Sequence, residues 1–196
     1  MLITDDLFYG FIKCKTKGYL LSSTATEDGR PSHPISDWQQ HLAEDFKREC
    51  RDLLTAINPA GCFMGTPEKH DLANGRHHYI VDPILTFEDM ASHLDALERL
   101  PVPAEKVRNR YIPIRFISSE KVTKEHKLCL AFDALVLGKL SGQMPISGKL
   151  IHGRRKMAMS IKLNELIRSV EILVATMRLT LADSTPPSYG QKLVTA

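Results

Sequence analysis

The stretch "HKLCLAFDALVLGKLSG", residues 126–142, is apolar enough to be a core helix, and a core helix needs other elements laid against it. Yet the segment also carries Cys129 and Asp133 one turn apart, on one face. A carboxylate among Leu130, Val136 and Leu137 is costly to bury alone and requires a basic or hydrogen-bonding partner. The thiol reads as a small core residue, because free cysteines are among the most buried side chains. A Cys–His hydrolase would need a base and an oxyanion hole, and neither His126 nor His93 is marked out as the base.

The elements to be laid against that helix can be read in order. Thr4 suits an N-cap, with Asp5 and Asp6 in the favourable first turn of a helix that presents Leu7, Phe8, Phe11 and Ile12 inward. "TKGYLLSS" then leads into a polar loop ending at Ser36, which can cap a long helix from residue 37 to 57. The charges of "EDFKRECRD" mark that helix's solvated face, and Pro59 and Gly61 end it. Three strand-like segments follow. "RHHYIVDPILTF" is β-branched and aromatic, with Pro83 indicating an edge or bulge. "MASHLDALERL" reads as a strand with Ser92, Leu94, Ala96 and Glu98 on one face, though its Ala, Leu and Glu suit a helix equally. "RYIPIRFISS" is the clearest strand, with Ile112, Ile114 and Phe116 aligned. After the apolar helix come "GKLIHG" and "KMAMSIKL" as strands, then an amphipathic helix at 164–182 capped by Asn164. This order indicates an α/β domain around one sheet.

Composition excludes little beyond the extremes. A net charge of +3 does not announce a nucleic-acid binder, although "HGRRK" (152–156) and "EKVRNR" (105–110) would attract phosphate near a groove. The four cysteines, Cys14, Cys50, Cys62 and Cys129, are scattered without a CxxC pair and define no complete metal or disulfide framework. The adjacent histidines of "GRHH" point opposite ways on a strand, which disfavours a shared metal. Acidic residues precede the first apolar run, unlike a signal peptide, and no run is long enough to span a membrane. A reduced, cytoplasmic setting is the expectation.

The element order and three local patterns resemble RecB-like nucleases of the PD-(D/E)xK superfamily, including the iron–sulfur CRISPR-associated exonucleases. The patterns are "CKTKGYLLS", "HLDALERL" and "HKLCLAFDALVLGKLSGQMPISGKLIHG", the last matching in helix length, turn and following strand. The resemblance implies a restriction-endonuclease-like core, a central mixed sheet flanked by helices with an N-terminal helical part. It also implies one domain over residues 1–183, with helices in 1–60, the sheet core and last helices in 75–183, and a linker or tail at 184–196. The function implied is metal-dependent DNA hydrolysis, on single- or double-stranded substrates, with magnesium or manganese.

Such a site uses divalent ions to polarise a phosphate and activate water, held by a pair of carboxylates beside a lysine. Carried over by position, Asp95 matches the first metal-binding carboxylate. Arg115 stands where the second acid belongs and Ile117 where the lysine belongs; Cys129 and Asp133 occupy the glutamine and tyrosine positions of the following helix. The site is thus degenerate by the family's pattern, and an Asp95–Arg115 ion pair is expected in it. A rebuilt site would draw on Glu120 as second metal ligand and Lys121 as the lysine, with Glu125 and Asp82 as further acids. Arg154 and Arg155 are the candidates for DNA phosphate contact. Cys14 resembles the first iron–sulfur ligand, but no cysteine follows Cys129, so the cluster needs cysteines from further C-terminal chain. The tail reads as a linker and the chain as a fragment, to be followed by a further nuclease domain or met by a partner protein. The alternative is a catalytically inactive DNA-binding or protein-interaction scaffold.

Overall fold

The structure, a computed structural model, describes residues 2–23, 34–101 and 110–182. The "EKVRNR" cluster, apart from the backbone of Arg110, and the tail at 184–196 lie outside the described residues. The chain forms an α/β fold in which a six-stranded and a three-stranded sheet are flanked by helices.

Strand β1 (Ile3–Thr4) leads into helix α1 (Asp5–Lys13), whose Thr4 cap accepts a hydrogen bond from the Leu7 N–H. Leu7, Phe8 and Phe11 are buried along its inner face. The segment "TKGYLLSS", which leads into the polar loop, lies in helix α2 (Lys15–Ser23). Packing overrides its weak pattern: Gly18 lies so close to α1 that an added Cβ would stand 2.8 Å from the Phe11 backbone. Helix α3 (Pro34–Ile57) begins before Ser36, which therefore lies inside it rather than capping it. A 3-10 turn, Pro59–Gly61, ends it, with the Asn58 side chain accepting from the Gly61 N–H.

Strand β2 (Cys62–Met64) and the short helix α4 (Lys69–Asn74) precede the main strands. Two of the expected strands are each broken in half. "RHHYIVDPILTF" becomes β3 (Tyr79–Val81) and β4 (Ile84–Phe87), and "MASHLDALERL" becomes β5 (Met90–His93) and β6 (Ala96–Leu100). The breaks face one another: the Asp82 N–H donates to the Asp95 carbonyl at 3.1 Å and the Leu94 N–H to the Pro83 carbonyl at 3.0 Å. Asp82 adopts a left-handed φ of 59° and Pro83 has no N–H to donate, so neither strand can continue straight. The base of this hairpin, β3 and β6, joins one sheet and its tip, β4 and β5, joins the other. β1, β5 and β4 form the small sheet; β2, β3, β6, β7, β8 and β9 form the large one, in that order.

Strand β7 (Arg110–Ile117) is the axis of the large sheet, antiparallel to β6 and parallel to β8 (Ser147–His152). It is buried on both sides. Ile114 and Phe116 pack with Cys50 and Leu54 of α3, whereas Tyr111 and Ile117 join the main core. That core surrounds helix α5 (Lys124–Ser141), the expected core helix, with every residue from Leu128 to Gly138 buried. Thr123 and His126 close its N-terminus in a capping box, and Gly142, at a φ of 72°, ends it in the left-handed conformation that favours glycine. Strand β9 (Met157–Lys162) pairs antiparallel with β8, and helix α6 (Asn164–Ala182) packs on α5. Asn164 is the first helical residue rather than the cap.

Candidate functional site

The break between β5 and β6 is where the chemistry gathers, because it turns Asp95 inward beside β7. Asp95 is 5% exposed. Its Oδ2 accepts from the Phe116 N–H at 2.7 Å, and its Oδ1 meets Lys47 Nζ of α3 at 2.8 Å. The expected Asp95–Arg115 pair does not form. Alternation along β7 explains it: Phe116 faces α3 and presents its amide to Asp95, while its neighbour Arg115 projects to the α5 side.

There Arg115 finds the partner that Asp133 requires. The guanidinium bonds both Asp133 oxygens, through Nε to Oδ2 and through Nη2 to Oδ1 at 2.9 Å, and Nη2 reaches Asp5 Oδ2 of α1 at 3.1 Å. Ser92 of β5 donates its hydroxyl to Asp133 Oδ1. Asp133 is fully buried, and burial pushes its carboxyl up, while Arg115 and Ser92 pull it down. For Arg115, burial alone would lower the pKa, but the charge and hydrogen bonds of Asp133 hold it well above its ordinary value. Burial outweighs Arg115 and Ser92 at Asp133 and leaves its carboxyl above the ordinary value, while the guanidinium, which does not deprotonate in proteins, keeps its charge beside it. The pair is ionic, and it ties α1, β5, β7 and α5 together.

Both clusters border one pocket of about 340 Å³, lined by Asp5, Asp6, Lys47, Asp95, Arg115 and His126 among others. Cys129 lies on its wall, buried, with its thiol pushed up to about 12 by burial, which disfavours the thiolate form that a nucleophile needs. His126 Nδ1 accepts from the Thr123 N–H as part of the capping box. Burial, then the charges of Lys13 and Arg115, lower its pKa.

The other sequence candidates stand elsewhere. Glu120 does not line the pocket; its Oε1 accepts from the Arg154 N–H at 3.0 Å, anchoring the turn between β8 and β9. Lys121 is exposed on the loop after β7 and does not line the pocket either. Ile117, at the family's lysine position, is buried in the main core. Asp82 pairs with Arg51 and His93, and Glu125 accepts from Thr123. Arg154 and Arg155 are exposed at the β8–β9 turn. Cys14 is exposed where α1 gives way to α2. His77 stacks on Phe63 and His78 meets Tyr79 edge-on, each histidine with its own aromatic neighbour.

Among the described residues, no group of three or more His, Cys, Asp or Glu side chains is arranged to hold a metal ion. The donor chemistry points the same way: Asp95 is already satisfied by an ammonium and an amide, and a guanidinium occupies the neighbouring position. The residues present do not fit a two-carboxylate magnesium site. Among the described residues, no helix is long and apolar enough to cross a membrane.

Sequence reasoning missed Lys47 and Asp5. Lys47 was hidden in a run of charges, yet it stands three residues before Cys50 and seven before Leu54, on the buried stripe of α3. That spacing was a usable signal. Asp5 reads correctly as a first-turn acid, and nothing local reveals that it also faces Arg115, 110 residues away.

No protein-family model and no curated protein matches the chain significantly. Among solved structures, the crystal structure of SSO0001 is similar with a TM-score of 0.46 at 10% identity, over 94% of this chain and 78% of that one.

Proposed function

We propose that this chain is a domain of RecB-like, PD-(D/E)xK descent in which fixed cations have taken the place of bound metal, and that it acts on DNA by binding rather than hydrolysis. The observation that carries this reading is the pairing at the two acid positions. Asp95 is held by Lys47 at 2.8 Å, and the second position is the Arg115 guanidinium, itself committed to Asp133 and Asp5. The topology supports the descent. A helix, α3, is followed by the antiparallel series β3–β6–β7, then α5, then β8 parallel to β7, with Asp95 entering the middle strand. The exposed Arg154 and Arg155 supply charge suited to phosphate.

The test is a pair of assays on the purified chain, with labelled single- and double-stranded DNA. The expected result is salt-dependent binding whose log–log slope falls by about one for each of Arg154→Ala and Arg155→Ala. No cleavage is expected with magnesium or manganese. Metal-dependent cleavage that disappears in Asp95→Ala would overturn the reading, because the site would then be a working nuclease centre.

A further inference from the structure

The two ends of the large sheet are built differently. At one end β2 has three residues and runs into Gly65, whose φ of 98° turns the chain away. At the other end β9 has six residues, bonded to β8 on one side, and among the described residues no strand pairs with its other side. Six residues present a ladder of about 20 Å to solvent. Sheet edges are ordinarily protected by a proline, a bulge or a charge within the strand. From Met157 to Ile161, "MAMSI", β9 has none of these, and its register with β8 is continuous. Met157 and Met159 are 59% and 38% exposed, and Ala158 and Ser160 are exposed on the opposite face. Ile146 and Met144, in the turn that enters β8 opposite the end of β9, are exposed as well. Flexible methionines on an exposed edge suit an adaptable apolar contact.

We infer that the outer edge of β9 docks an extended segment of another protein, apolar at alternate positions and flanked by acidic residues, which adds to the sheet as one more strand. Charge selects this occupant. Exposed Arg154 and Arg155 stand before β9 and exposed Lys162 ends it, while Lys156 is neutralised by Glu49 at 2.7 Å. A second copy is disfavoured by the same charges. Antiparallel pairing about Met159, the register that matches Met157 with Ile161, sets Lys162 beside the already paired Lys156 of the other copy and gives it no new acidic partner. Parallel in-register pairing sets Lys162 against Lys162 and Arg155 against Arg155; like charges opposed across strands are destabilising. An acidic-flanked strand meets a cation at each end and main-chain donors and acceptors between, the geometry of strand addition. This site is separate from the pocket but shares Arg154 and Arg155 with the proposed DNA contact; the open edge of β9 itself does not depend on DNA binding.

The test is selection of a random displayed peptide library on the purified full chain, followed by amide hydrogen exchange with the enriched peptides. Enriched sequences are expected to alternate apolar residues between acidic flanks and to slow exchange across 157–162. They are expected to bind Ser160→Glu, an exposed-site variant whose fold is checked by circular dichroism, about tenfold more weakly. The proposal is overturned by an absence of enrichment, by enriched peptides without acidic flanks, or by protection that falls elsewhere. It is equally overturned if the β9 edge amides are already slow in dilute protein, which would mean the chain covers its own edge. Protection that appears only with rising protein concentration, together with a dimeric mass, would assign the edge to a second copy instead.

Discussion

Asp133 and Asp95 are both buried acids beside β7, one on each side of the strand, and they are held by opposite means. Asp133 sits in the interior with a fork of guanidinium bonds and a serine hydroxyl, every partner coming from an element it helps to join. Asp95 sits on a pocket wall, held by one backbone amide and by a lysine whose side chain is 42% exposed. Separation of roles follows from separation in solvent. A dry ion pair fixes the packing of its elements; a pair at the water's edge can open. Asp133 therefore belongs to the architecture, whereas Asp95 borders the pocket together with Asp5 and Asp6.

The sharpest way to break this contrast is to remove one buried charge at a time. Arg115→Met leaves Asp133 buried without its cation and should cost about 3–5 kcal/mol in urea unfolding. Adding Asp133→Leu to that variant should restore most of the loss, because a matched apolar pair carries no desolvation penalty. A double variant as unstable as the single one would mean that the network does more than balance its own charges. At the other acid, Lys47→Met should cost less, about 1 kcal/mol, since the half-exposed ammonium is screened by water and salt and the buried Asp95 keeps the Phe116 N–H. A larger loss would place Asp95 in the same structural class as Asp133.

Thiol labelling sharpens the same division between sealed and open regions. Cys14 is exposed, and the Lys17 backbone N–H holds its thiol below the usual range. Burial pushes Cys50 up to about 11 and Cys129 up to about 12. With a disulfide reagent at mildly alkaline pH, Cys14 should react first, and Cys50 and Cys129 only on denaturation. Early reaction of Cys129 would show that the pocket wall opens to reagent.

The smallest expected effect is on pH. The folded His126 binds a proton less tightly than the unfolded chain does, through burial and the nearby Lys13 and Arg115. Its contribution is fully present above the ordinary imidazole value of about 6.5 and is lost as pH falls from there through the lowered folded value. Protonation would also break the Nδ1 bond to Thr123 that closes the capping box. Across that window, the stability of His126→Gln should fall less with acid than that of the parent chain.

Local rules reached far along this sequence. The Thr4 cap, the core helix α5, the strand at β7 and the pair β8–β9 follow from capping chemistry and apolar period, both set by neighbouring residues. Asp133 demanded a partner on burial grounds alone, and it has one. Tertiary structure alone decided which partner. Arg115 could have faced either acid, and the choice depended on the break at Leu94–Asp95, which turns Asp95 toward the Phe116 amide on the α3 side. That break forms because Asp82 and Pro83 interrupt the neighbouring strand, and a hairpin has to bend as a unit. Helix α2 likewise owes its existence to the close face of α1 rather than to its own pattern. The sequence by itself determined which segments are buried and which groups need a partner, because those depend on local chemistry. Who meets whom across 18, 48 or 110 residues depended on how two sheets divide one hairpin, and only the folded chain sets that.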